Sequence, residues 1–133
     1  MIAVTTVTTG DEPDGQGSPT WPGHVALARD LARERLRGLD ARVVGDCLLV
    51  VSELVTNAIR HGGGVTLFEI VARAGRVVVS VGDRSGDVPV ATAAPGGLLP
   101  GGHGWPLVCR LAEKITISPL ADGGKAIQVS LAY

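Results

Sequence analysis

One amphipathic stretch, Leu48 to Gly64 with the sequence LLVVSELVTNAIRHGGG, constrains the fold of this chain more than any other segment. Apolar residues recur there every three or four positions, and at about 100° per residue this spacing places them on one face of a helix. The face is predicted to pack against a core through Val44, Leu48, Val51, Val55 and Ala58.

The opposite side of the same helix is polar and carries Glu53, Asn57 and Arg60. Residues three, four and seven positions apart lie along one face of a helix, so these three side chains are neighbours. A solvated surface has a similar pattern. Asn57 is nevertheless costly in the middle of a helix, because its amide competes with the backbone for hydrogen bonds. We therefore interpret this face as a candidate functional site.

Composition narrows the classes of function. The chain has 133 residues, a net charge of -1 and 3% aromatic residues, which argues against direct nucleic-acid binding. No apolar run approaches the roughly 20 residues of a membrane span, so no membrane partner is expected. Cys47 and Cys109 both occupy apolar, helical surroundings and are expected to be free thiols that behave as small hydrophobic side chains, which fits a reducing cytoplasmic compartment.

Hydrophobic periodicity and turn residues predict the order of the elements. Residues 1–21 form an N-terminal strand and loop segment, and residues 22–133 form a single domain. Asp40 is the predicted N-cap of the central helix, which ends near His61. The other predicted elements are a helix over Pro22–Arg37, a hairpin over Val65–Arg73 and Arg76–Asp83, a lid or binding loop over 84–101, a short helix within Gly101–Ile115, and strands over Ile115–Pro119 and Lys125–Tyr133.

This order of elements favours an α+β fold. We expect a two-layer sandwich in which a mixed or antiparallel sheet carries its helices on one face. The opposite face of that sheet would expose Leu67 and Val71 beside Glu69, which indicates either a partner surface, a homodimer surface or ordinary surface variation.

Two further features mark candidate site residues. In the period of a strand, Asp83 shares the core face with Val81, so its carboxylate requires a partner or a ligand unless it is a simple turn residue. The turn Gly102-His103-Gly104 opens a helix, which either only starts that helix or presents backbone N–H groups to phosphate. The chain contains neither a P-loop nor zinc-ligand spacing.

Three motifs in this order resemble a known family. The segments ELVTNAIRHG at 53–62, DRSGDVP at 83–89 and GGHGWPLV at 101–108 are similar to the N, G1 and G2 boxes of the GHKL (Bergerat-fold) ATPases. Within that superfamily the chain resembles the anti-sigma-factor serine/threonine kinases, which are partner-switching regulators of bacterial transcription. The resemblance implies the Bergerat fold, with ATP and Mg²⁺ as cofactors.

The resemblance also implies roles for individual residues. Asn57 would bind Mg²⁺, and Glu53 would be the general base or would position water. Asp83 would bind the adenine amine. The remaining nucleotide-binding positions would be Arg60 and His61 on the phosphate side, Ser85 in the turn beneath the base, and Gly102, His103 and Gly104 in the lid.

The sequence departs from the family pattern in two of the boxes. Ser85 stands where many members have glycine, and Trp105 and Pro106 replace a small or aliphatic pair. Pro106 has no backbone N–H, so the start of this helix offers one donor fewer to phosphate. We predict ATP binding that is weaker than is usual in the family.

The resemblance implies an ATP-dependent protein kinase that binds a sigma factor in one state and phosphorylates a small anti-sigma-factor antagonist in another. A second hypothesis is a non-catalytic module, with or without ATP, that sequesters a sigma factor or an antagonist. A third, the ATPase domain of a sensor histidine kinase, is disfavoured because no dimerisation helix pair accompanies this domain. Fold alone does not choose among them.

Overall fold

The computed structural model describes residues 3–7, 21–87 and 104–133. The elements follow the predicted order: β1 (Ala3–Val7), α1 (Trp21–Arg35), α2 (Ala41–His61), β2 (Val65–Arg73), β3 (Arg76–Asp83), α3 (Gly104–Leu111), β4 (Lys114–Pro119) and β5 (Lys125–Ala132). The described strands form a five-stranded sheet in the order β1-β2-β3-β5-β4, and all its pairings are antiparallel. The prediction of an α+β sandwich is confirmed.

The central helix α2 begins and ends where the sequence predicts. The Asp40 side chain accepts a hydrogen bond from the backbone N–H of Arg42 at 3.3 Å, as an N-cap does. At the other end, the N–H groups of Gly62 and Gly64 both donate to the carbonyl of Ala58. Gly64 has a φ of 112°, a backbone conformation that glycine adopts without steric cost.

The core lies between one face of the sheet and the helices. In each of the three central strands, alternate residues point to this face, as the register of the pairs shows. Helix α2 covers them with its apolar stripe, α1 adds Ala28 and Ala32, and Leu36 adds a side chain just after α1. The buried strand residues are Phe68 and Ile70 on β2, Val77, Val79 and Val81 on β3, and Ile127, Val129 and Leu131 on β5.

The two hairpins have compact turns. Ala74 and Gly75 have φ values of 52° and 80°, the left-handed pair that a two-residue hairpin turn requires. The turn between β4 and β5 is closed by a hydrogen bond of 2.8 Å from the N–H of Leu120 to the carbonyl of Gly124. In the sheet, the end of β3 lies beside the beginning of β5, with Asp83 opposite Lys125.

The outer face of the sheet carries the predicted surface residues. Val71 lies opposite Val78 and Leu67 lies opposite Gly82, and the three apolar side chains are half-buried. An open cavity of about 530 Å³ lies on this face, lined by Arg76, Val78, Glu113, Lys114, Thr116, Gln128 and Ser130. That a partner binds this face stays a prediction.

The two free cysteines occupy different surroundings in the structure. Cys47 is buried, whereas Cys109 lies on the exposed side of α3. Among the described residues, no helix is both long and apolar enough to cross a bilayer. The predicted loop at 10–20 and most of the predicted lid, from residue 88 to 101, lie outside the described residues.

Candidate functional site

The polar side of α2 provides the first part of the site. Glu53 and Asn57 are half-buried and one helical turn apart, and Arg60 and His61 follow at the exposed end of the helix. The structure therefore brings four of the predicted site residues onto one side of a single rigid element.

Glu53 packs directly against the first residue of α3. A Cβ atom at position 104 would overlap the Glu53 carboxylate, so this approach requires glycine. Trp105 and Val108 hold α3 in the core, which fixes the position of Gly104. The resemblance assigns Gly104 to the approach of a lid to phosphate. In the structure, its missing side chain makes room for Glu53.

The surroundings of Glu53 favour the protonated carboxyl group. Partial burial raises the pKa of Glu53 above its usual value, and the positive charge of Arg60 opposes this shift. A carboxylate with a raised pKa in a half-buried position is a stronger proton acceptor than an exposed one. The geometry and the shift together are those of a candidate general base.

Asp83 forms the second part of the site, at the end of β3. Its side chain is 7% exposed, and both carboxylate oxygens accept hydrogen bonds from the Nζ of Lys125, at 3.1 Å for Oδ1 and 2.9 Å for Oδ2. Oδ1 also accepts from the backbone N–H of Ser85 at 2.9 Å. The prediction that this carboxylate needs a partner is confirmed, and the partner is Lys125.

Sequence reasoning did not identify Lys125 as a site residue. The sequence did contain a signal. Lys125 lies two residues before Ile127, and alternate residues of a strand share one face, so Lys125 belongs to the core face with Ile127 and Val129. A lysine at such a position needs a buried anion. The missing information was that β3 and β5 are neighbours in the sheet.

Glycines enclose the Asp83 carboxylate. A Cβ atom on Gly62 would lie 2.5 Å from Asp83 Cγ, and one on Gly124 would overlap the Asp83 carbonyl oxygen. The end of α2 is tied to this strand end by a hydrogen bond of 2.8 Å from the N–H of Arg84 to the carbonyl of Gly62. Asp83 is thus held between the end of α2 and the beginning of β5.

The two carboxylates mark the ends of the site along α2. Nine residues separate Glu53 from Gly62, which at a rise of 1.5 Å per residue corresponds to about 13 Å along the helix axis. Asn57, Arg60 and His61 lie between these ends. The arrangement is an elongated surface with an acidic group at each end.

Of the remaining predicted residues, the structure describes Ser85 and Pro106. The backbone N–H and carbonyl of Ser85 bond to Asp83 and Lys125, and its hydroxyl accepts from the N–H of Asp87 at 3.1 Å. Gly102 and His103 lie outside the described residues. Pro106 is exposed in the first turn of α3, where a missing N–H costs the helix nothing.

The residues at the two ends differ in how well they would accommodate ATP and Mg²⁺. In the described part of the chain, no cluster of three or more His, Cys, Asp or Glu residues could hold a metal ion. The end of the site with Glu53 and Asn57 suits a magnesium ion that has few protein ligands. Such an ion would keep several waters and phosphate oxygens and would take the side-chain oxygens of Asn57 and Glu53. At the other end, Lys125 already uses the Asp83 carboxylate that an adenine amine would need.

Comparison with known protein families identifies one family for this chain. A sequence model of the histidine kinase-like ATPase domain family matches residues 19–131, from before α1 to within β5, and this range includes the residues at both ends of the site. No curated protein matches the chain closely enough to count as a relative.

Proposed function

The chain belongs to the histidine kinase-like ATPase domain family, and we propose that it is an ATP-dependent protein serine/threonine kinase of the anti-sigma-factor type. Membership in this family supports ATP binding. The observation that carries the kinase proposal is the half-buried Glu53, which is fixed against Gly104 one helical turn from Asn57.

The proposed chemistry needs a metal ligand and a proton acceptor that are held rigidly. Mg-ATP would supply the phosphoryl group. Asn57 would contribute an amide oxygen to the cation, and Glu53 would accept the proton of an incoming hydroxyl or position that hydroxyl. Phosphoryl transfer depends mostly on such positioning and on electrostatic stabilisation. Placing both groups on α2, whose apolar face is fully packed, provides that rigidity.

The partners of the kinase follow from the proposed class. The acceptor would be a Ser or Thr hydroxyl on a small anti-sigma-factor antagonist, and a sigma factor would bind the chain in the other state of the switch. Both would be bacterial cytoplasmic proteins. The outer face of the sheet, with Leu67 and Val71, is the surface that we propose for one of them or for a second copy of this chain.

The direct test is phosphoryl transfer from labelled Mg-ATP to candidate antagonist proteins. We expect transfer by the wild-type chain, and a loss of at least about a hundredfold in Glu53→Gln and Asn57→Ala, since general bases contribute about 10²–10⁴-fold. The matched control is Glu34→Gln on the exposed side of α1, which should keep wild-type transfer.

A second candidate function has support from a different observation. The carboxylate of Asp83 is saturated by Lys125, which would suit a non-catalytic module that acts by sequestering a sigma factor or an antagonist. The same experiment separates the two functions. Partner binding that is unaffected by Glu53→Gln and Asn57→Ala, without any transfer by the wild-type chain, would rule out the kinase and favour the module.

A further inference from the structure

The Lys125 ammonium bonds to both carboxylate oxygens of Asp83. The three donors of the ammonium group bond to Asp83 Oδ1 at 3.1 Å, to Asp83 Oδ2 at 2.9 Å and to the carbonyl oxygen of Ser85 at 3.1 Å. Both side chains are 7% exposed. No donor of Lys125 is left over, and the open side of the carboxylate is covered.

Backbone packs closely around Asp83. Gly62 lies so close to the Asp83 carboxylate that even a methyl group would not fit between them, and Gly124 packs against the main-chain carbonyl of Asp83. An incoming donor therefore meets carboxylate oxygens that already bond to the Lys125 ammonium. The residues of this arrangement lie at the end of α2, on β3 and around the beginning of β5, and do not include Glu53 or Asn57.

We propose that Lys125 is an internal competitor for Asp83, and that an amine-bearing base binds this carboxylate only after the ammonium has left it. The inference rests on the proposed nucleotide site and deepens it, since it names the residue that sets the affinity. An ammonium ion and an exocyclic amine are both N–H donors, so they compete for the same carboxylate oxygens.

The exchange has an energetic cost that the ligand must offset. A buried ion pair that loses one member leaves an uncompensated charge, unless the incoming group donates its own hydrogen bonds. An exocyclic amine is neutral and replaces a charged donor, so the exchange lowers the net affinity of the chain for the nucleotide. The Lys125–Asp83 pair thus predicts weak nucleotide binding independently of Pro106.

Lysine labelling with mass spectrometry tests the exchange in the wild-type chain. Lys114 and Lys125 are the two lysines in the sequence, and Lys114 is exposed on β4, so it provides an internal reference for the reaction with an amine-reactive ester. Without nucleotide, we expect Lys125 to react at least about tenfold more slowly than Lys114. Saturating Mg-ADP should increase the labelling of Lys125 and leave that of Lys114 unchanged.

Binding of Mg-ATP and Mg-ADP to variants, measured by calorimetry, provides the second test. We expect Lys125→Met to bind at least about tenfold more tightly than wild type, because a charge-assisted competitor is removed. Lys114→Met, the matched control, should bind as wild type. The gain should disappear in Asp83→Asn/Lys125→Met, which no longer offers a carboxylate to the amine. If Lys125→Met does not fold, the labelling experiment on wild-type protein remains decisive.

The outcomes separate this proposal from the proposed function. Two results would overturn the role of Lys125 as competitor and leave the proposed nucleotide site intact. In the first, wild type binds nucleotide while Lys125 stays protected from labelling. In the second, wild type binds nucleotide and Lys125→Met binds it equally or more weakly. Nucleotide binding by Lys125→Met without binding by wild type would support the proposal and show that the Lys125 ammonium prevents nucleotide binding in the native chain. Folded wild-type and Lys125→Met proteins that both fail to bind nucleotide would overturn the two proposals together.

Discussion

The carboxylate of Glu53 lies against the α-carbon of Gly104, so the middle of α2 and the first residue of α3 meet without an intervening side chain. The contact joins two segments that are distant in the sequence, and it fixes where the Glu53 carboxylate lies relative to the start of α3. Any side chain at position 104 has to move Glu53, α3 or both.

Gly104→Ala is therefore expected to damage function more than stability. The new methyl group would displace the Glu53 carboxylate, and we expect phosphoryl transfer to fall at least about tenfold, since small misplacements of a catalytic group have large effects. Transfer assays with thermal unfolding would measure both quantities. The matched control is Gly45→Ala on α2, where nothing lies within 4 Å of the added Cβ. There alanine should stabilise the helix by about 0.5–1 kcal/mol. Wild-type transfer in Gly104→Ala would contradict the assignment of Glu53.

The raised pKa of Glu53 predicts a specific dependence on pH. Because the folded chain holds this proton more tightly than the unfolded chain, the contribution of Glu53 to stability falls as pH rises from its usual pKa of 4.5 through its raised folded value. Transfer should increase over the same window, since the base must be ionised. Stability of Glu53→Gln relative to wild type should rise across that window, as urea unfolding at a series of pH values would show.

Arg60→Gln would test the cause of that behaviour. The positive charge of Arg60 lowers the pKa of Glu53 and so opposes the effect of burial. Its removal should move the pH profile of transfer to higher pH. Arg42→Gln, an exposed change near the beginning of the same helix, should leave the profile in place. A profile that does not respond to Arg60→Gln would show that another group titrates in the assay.

Much of the fold could be predicted because its signals are local. The period of α2, the cap at Asp40 and the Ala74-Gly75 turn are each set by residues close together in sequence, and the structure confirms all three. For the same reason Glu53 and Asn57 could be placed on one side of a helix.

The rest of the site depends on contacts that local patterns do not contain. The pairing of Asp83 with Lys125 requires β3 and β5 to be neighbours, although α3 and β4 lie between them in the sequence. The contact of Gly104 with Glu53 depends on how α3 packs against α2. The exposure of Cys109 could not be predicted, because a helix of eight residues has too few turns to define its buried face.

The two cysteines are expected to differ sharply in reactivity. Burial raises the pKa of the Cys47 thiol to about 12, with a smaller contribution from the charge of Asp46, whereas Cys109 is exposed. Because the thiolate is the reactive species, a maleimide at pH 7 should modify Cys109 alone in the native chain and both residues in denaturant. Peptide mapping would check this. Rapid native labelling of Cys47 would show that α2 is not packed as described.

The buried pair of Asp83 and Lys125 should also be visible in the stability of the fold without any ligand. Lys125→Met leaves the Asp83 carboxylate uncompensated, and breaking such a pair costs about 3–5 kcal/mol. Asp83→Asn/Lys125→Met removes both charges and should recover part of that loss. The pair of Arg76 and Glu113 is shorter, at 2.7 Å against 2.9 Å, but it is exposed, so Arg76→Met should change stability little. Chemical denaturation of the four proteins would measure these differences, and similar values for Lys125→Met and Arg76→Met would contradict the burial of the Asp83 site.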